Sequence, residues 1–161
     1  MTPVAAASCG WAIADVEASG PVGVILWGTW DLQPNRNRKA GKAEHPGERL
    51  VRLRSHIFAA NREHRFERIV YEDTSDIVRH KAARAAHGRY AGMIYLVAAE
   101  LGVPVEGVRA SVLKKVVAMA GDAKKPDMAR AIYMRTSPHI DVGKEHDAAD
   151  AIGLLYVNGE G

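Results

Sequence analysis

The chain has 161 residues, of which 47% are hydrophobic and 25% charged, with a formal net charge of +3 at pH 7. That size and balance describe one ordinary globular domain over 1–161, and no apolar run reaches the length needed to span a bilayer. The only cysteine, Cys9, excludes an intramolecular disulfide and points to a reducing, cytoplasmic compartment.

The apolar stretch Val4 to Ala14 has no Lys or Arg before it, so it does not read as a signal peptide. Gly10-Trp11-Ala12-Ile13-Ala14 reads as a short strand, Ala18-Ser19-Gly20-Pro21 as a turn, and Val22 to Trp30 as a second strand rich in β-formers. Together they predict an antiparallel hairpin. Pro34 to Pro46 lacks periodic apolar residues and carries Arg36, Arg38, Lys39 and Lys42, the composition of a basic loop. Glu48 to His64 shows the helical period through Leu50, Leu53, Ile57, Phe58 and Ala60. Arg68 to Tyr71 is a short apolar strand with Glu72 at its C-terminal end, where ligand-binding groups of open α/β sheets gather.

Gly88 to Leu101 is a second amphipathic helix, stopped by Gly102 and Pro104. Val105 to Ala110 reads as a strand. Ser111 can cap a helix through Val112, Val116 and Met119 to Gly121. Asp127 to Arg135 is a short helix, and a last helix follows His146. After the opening hairpin, strands alternate with helices, which predicts a mixed sheet flanked by helices.

Asp147 and Asp150 stand three residues apart at the head of that last helix and so share one face. Two readings are open. Adjacent carboxylates resist ionising together, and a hard divalent cation such as Mg²⁺ or Mn²⁺ relieves them. Acids at a helix N-terminus also simply complement the macrodipole. His146 beside them is a group that orients a ligand, one that binds a phosphate oxygen, or a solvent-exposed helix-cap histidine.

The order of these segments resembles the RuvC-type Holliday junction resolvases of the ribonuclease H-like nuclease superfamily. The residues that carry the resemblance are Gly10-Trp11-Ala12, Gly28-Thr29-Trp30, Val70-Tyr71-Glu72-Asp73, His87-Gly88-Arg89-Tyr90, Ala110 to Lys115, and His146 to Ala151. They cover nearly the whole chain, and the compact form with a basic loop after the hairpin is most similar to the phage-type branch. The resemblance implies an α/β ribonuclease H-like fold, with a mixed central β-sheet of an antiparallel hairpin followed by parallel strands, flanked by α-helices. It implies a metal-dependent endonuclease that resolves branched DNA, with two Mg²⁺ or Mn²⁺ ions held by four carboxylates. Glu72, Asp147 and Asp150 match three of these acids, and Lys114 matches the family's lysine near the scissile phosphate. A four-way junction has two-fold pseudosymmetry, so the resemblance also implies a homodimer, for which the helix bearing Tyr90, Met93, Ile94 and Val97 is a candidate interface or a core helix. A bacterial or phage-infected cytoplasm is the expected setting.

One element departs from the pattern. The family's first aspartate falls near Val4, and no acid occurs before Asp15. A start assigned too late, loss of the acid, or replacement by another carboxylate each accounts for this; Asp15 and Asp73 are poorly placed as substitutes. The departure leaves two alternatives open: a catalytically impaired junction-binding protein, or a ribonuclease H-like nuclease acting on flaps, forks or RNA–DNA hybrids. Arg36, Arg38, Lys39, Lys42, Arg79, Arg84, Arg89, Lys115, Lys124 and Lys125 are candidate DNA-backbone contacts, although any single Lys or Arg can equally be a solvated surface group. No base-reading motif is evident, so recognition by backbone and junction shape is expected.

Overall fold

A computed structural model describes residues 8–15, 23–33, 45, 47–75, 78–136 and 139–159. The basic loop with Arg36, Arg38, Lys39 and Lys42, and the region of Val4 where the first aspartate is expected, lie outside the described residues.

The hairpin pairs β1 (Ser8–Asp15) with β2 (Gly23–Asp31) in antiparallel register, Ser8 opposite Asp31 and Gly10 opposite Thr29. Alternation along the strands sorts their side chains between two cores. Ala12 and Trp27 pack toward one, Cys9 and Trp30 toward the other. α1 (Glu48–His64) follows, with Leu53 and Ile57 buried. β3 (Ile69–Asp73) then runs parallel to β4 (Val105–Arg109) through the crossover helix α2 (Lys81–Leu101), with Glu72 opposite Val108. α3 (Ala110–Ala118), α4 (Lys125–Arg135) and α5 (His146–Gly159) complete the chain.

The antiparallel hairpin and the parallel pair have the expected order and direction. Among the described residues they form two separate two-stranded sheets rather than one ladder. α5 links them, packing against β1, β2 and β3 and also against α3 and α4. It forms the centre of the larger core, where Ala148, Ala149 and Ile152 meet Leu113, Val117, Met128 and Ile132, all essentially removed from water. At about 25 cal/mol per Å² of apolar surface, this burial is the main force holding α5 in place. Gly153 permits the closeness, because a Cβ there would press on Leu113 and Val117. The second core joins Leu32, Leu53, Ile57, Met93 and Val97 between the hairpin, α1 and α2.

Several expectations shift. Glu72 is the fourth residue of β3, inside the ladder rather than beyond it. α2 begins at Lys81, seven residues before Gly88; Ala82, Ala83, Ala85 and Ala86 favour helix without making an apolar stripe. α3 starts at Ala110 and is preceded by Arg109 with no side-chain cap, so Ser111 lies inside the helix and Lys114 and Lys115 sit in its middle. α3 also stops at Ala118, closed by Met119 in the left-handed region at φ 60°. On α2, Met93 and Val97 are buried and Tyr90 and Ile94 pack beside them, so that face belongs to the core. The outward face instead shows Tyr95 and Leu96, 51% and 56% exposed. No helix among the described residues is long and apolar enough to cross a membrane.

Candidate active site

The hairpin and α5 meet with almost no space between them. Gly10 lies on the first turn of α5, and a Cβ at that position would collide with the Asp147 carbonyl. Two side-chain hydrogen bonds hold the same junction. Ser8 Oγ donates to Asp147 Oδ2 at 2.9 Å, and Thr29 Oγ1 donates to Glu145 Oε2 at 3.0 Å. The backbone of Asp147 is therefore packed directly against β1, and its carboxylate accepts from Ser8 on that strand.

Lys125, in the first turn of α4, reaches the other oxygen. Its Nζ lies 2.6 Å from Asp147 Oδ1, with the two side chains 61% and 35% exposed. Burial acts to raise the Asp147 carboxyl, but the hydrogen bonds from Lys125 and Ser8 and the charges of Lys125 and His146 outweigh it and hold it below the ordinary aspartate range. Lys125 is raised in turn, first by its hydrogen bond to Asp147, then by the charges of Asp147, Asp150 and Glu72.

Glu72 and Asp150 behave oppositely. Burial is the largest influence on Glu72, reinforced by the charge of Asp150 and opposed by Lys114 and Lys125; its carboxyl is pushed up to about 7. Asp150 is raised too, by burial first and by Asp147, against Lys125, Lys114 and His146. Three acids from two elements thus share one electrostatic environment with two lysines from α3 and α4. His146 Nδ1 is buried beside them with no hydrogen-bond partner.

Excess negative charge, an unpartnered imidazole nitrogen and hard oxygen donors suit a divalent cation in chemistry. In position they are incomplete. Among the described residues, no three His, Cys, Asp or Glu groups converge closely enough to hold a metal ion. Both Asp147 oxygens have hydrogen-bond partners, Ser8 and Lys125.

The expected residues divide accordingly. Glu72, Asp147, Asp150 and Lys114 lie within electrostatic reach of one another. Lys125, expected at a DNA backbone, is ion-paired inside the acid cluster. Lys115 and Lys124 are exposed on α3 and just before α4. Arg79, Arg84 and Arg89 are exposed on and before α2, and Arg84 donates to the Val78 carbonyl, tying down the start of that helix. Asp15 is exposed at the far end of β1, and Asp73 accepts a hydrogen bond from the Ser75 amide, so neither joins the cluster. Trp11, Trp30 and the His56 ring form a continuous stack with 5.3 Å between successive centroids, in keeping with a packing role for the tryptophans. Ser8 carries no signal in the sequence. Lys125 carries one: a cation in the first turn of a helix is at the unfavourable pole of the macrodipole, so it needs a partner elsewhere.

No protein-family model matches the chain, and no curated protein matches it. Among solved structures the chain is similar to Thermus thermophilus RuvC, with a TM-score of 0.68 and 20% identity over 94% of this chain and 87% of that one. It is also similar to T. thermophilus RuvC in complex with a Holliday junction substrate, with a TM-score of 0.70 and 19% identity over 91% and 82% of the two chains. The fold is therefore the RuvC-like, ribonuclease H-like α/β fold.

Proposed function

We propose that the chain is a metal-dependent, structure-selective DNA endonuclease of the junction-resolving type, similar to the phage branch of that family. The observation that carries the reading is the opposition of Glu72 on β3 to Asp147 and Asp150 on α5, with Lys114 and Lys125 charged beside them. The likeness to a RuvC bound to a junction substrate supports it at the level of fold.

Glu72, Asp147 and Asp150 would hold Mg²⁺ or Mn²⁺, which when bound supplies an activated water and neutralises the extra charge of a phosphodiester under attack. The water oxygen bonds to phosphorus, the bond from phosphorus to the 3′ oxygen breaks, and that oxygen takes up a proton. The products are 5′-phosphate and 3′-hydroxyl ends. Lys114 is the candidate point charge for a neighbouring phosphate, and Lys115, Lys124, Arg79, Arg84 and Arg89 offer cations to the flanking backbone. Paired cuts across a two-fold substrate call for a homodimer, which sedimentation of the purified chain measures directly.

The test is incubation of labelled four-way junctions with Mg²⁺ or Mn²⁺. Cleavage that Asp150→Asn abolishes supports the reading; absence of cleavage even after an aspartate is restored upstream of Ser8 overturns it. A second reading, junction binding without cutting, draws on the engaged oxygens of Asp147. Tight binding of four-way over linear DNA with no cutting at any metal concentration would select it. Side-by-side assay of flaps, forks and RNA–DNA hybrids separates a related nuclease with another substrate.

A further inference from the structure

Resting on the DNA-processing reading above, we propose that Trp11, backed by Trp30 and His56, is a stacking site for an unpaired base of the bound DNA. The substrates favoured would then expose unpaired bases at their branch. The hairpin has two faces. Ser8 and Gly10 of β1 and Thr29 of β2 turn toward α5 and its acids. Strand alternation turns their neighbours Cys9, Trp11 and Trp30 the opposite way. There the second core takes in Cys9 and Trp30, so Trp30 packs. Trp11 carries the stack beyond the packed part: it is half-buried, and Leu26, farther along the same face, is 42% exposed.

The three rings form an offset stack. Trp11 to Trp30 and Trp30 to His56 are each 5.3 Å between centroids, with planes 15° and 7° apart. Gly28 lies opposite Trp11, and a Cβ there would come within 3.2 Å of the indole, so the bare backbone lets the ring lie against the strand. Arg52 on α1 donates to the carbonyl of the fully buried Leu32 at 2.9 Å and anchors the end of β2 just beyond Trp30. A stack built in advance loses little freedom when one more flat ring joins it. Arg49 and Arg52 precede His56 by two turns and one turn on the same side of α1, and place positive charge beside the rings. Aromatic faces next to cations suit a nucleobase and its phosphate. Inside a duplex both faces of each base are covered by neighbours, so only an unpaired base can reach Trp11.

Nuclear magnetic resonance of the full chain, with a chelator present so that binding is read without cleavage, tests this. Trp27 packs into the larger core from the other face of the hairpin and is a built-in control. Single-stranded oligothymidylate should shift the indole N–H signals of Trp11 and Trp30 and leave that of Trp27 in place. A duplex of equal length should shift none of them. Trp11→Ala is expected to weaken binding of the single strand about tenfold, the scale of one lost stacked base, and Trp11→Phe to restore most of it. A still Trp11 signal, equal shifts of all three indoles, equal shifts with the duplex, or unchanged affinity in a folded Trp11→Ala variant overturns the proposal. Shifts that grow with protein concentration in the absence of DNA also overturn it and assign the face to a second copy of the chain. If four-way junctions are cut while the Trp11 signal stays still, the stacking site alone fails. If the chain binds neither single-stranded, duplex nor four-way DNA, the stacking site and the DNA-processing reading fail together. The indole shifts are read on the unmodified chain, so they decide the matter even where Trp11→Ala misfolds.

Discussion

The two sides of the acid cluster are built on opposite principles. On the hairpin side, Asp147 is satisfied: a serine and a lysine take its oxygens, and its carboxyl lies below the ordinary range. On the β3 side, Glu72 and Asp150 are half-buried, repel each other, and are both raised. A stable carboxylate beside two strained ones is a structure that holds its charge in reserve. The satisfied acid is held in place, while burial and mutual repulsion keep the other two above the ordinary carboxylate range.

Four changes would sharpen or break that contrast. Asp150→Asn removes half of the strained pair and is expected to cut junction cleavage on the order of 10²–10³-fold, as loss of a principal electrostatic group at a reacting centre does; a gel assay under single-turnover conditions reads it. Gly10→Val acts on the satisfied side. Its side chain has no room against the Asp147 backbone, so about 3 kcal/mol of destabilisation is expected, seen as a lower urea midpoint.

Glu72→Gln tests the strain itself. A carboxyl raised from 4.5 to about 7 in the folded chain binds its proton more tightly there than when unfolded. Its contribution to stability is therefore present in acid and is lost as pH rises from about 4.5 through 7. Without metal, the glutamine variant should be more stable than the parent at pH 8 by on the order of 2 kcal/mol, and the difference should vanish near pH 4.5. Thermal melts at several pH values, with and without Mg²⁺, give the answer. A flat comparison would mean Glu72 is not under strain. Ser8→Ala is the smallest change, about 1 kcal/mol of stability, with the Asp147 carboxyl moving up as one of its donors is lost.

Much of this architecture was legible in the sequence because it rests on periodicity. The span of α1, Glu48 to His64, follows from its apolar stripe, and the hairpin follows from two β-rich runs around a turn. Asp147 and Asp150 on one helix face follow from spacing, and Glu72 was expected just past a strand that in fact includes it. What stayed hidden depends on long-range contact. Nothing local about Ser8 announces that its hydroxyl meets an acid near the other end of the chain. The early start of α2 was hidden by its alanines, which favour helix without marking a face. Lys125 stands at the unfavourable pole of its helix, which says that it needs a partner, and only the fold shows that the partner is Asp147.

The bond from Ser8 to Asp147 spans 139 residues of sequence. Closing so long a loop costs entropy that only the finished fold repays, so this contact belongs to the late, cooperative part of folding. A nascent or partly folded chain would already carry its lysines and arginines, while the link between the hairpin and α5 would form only with the whole fold.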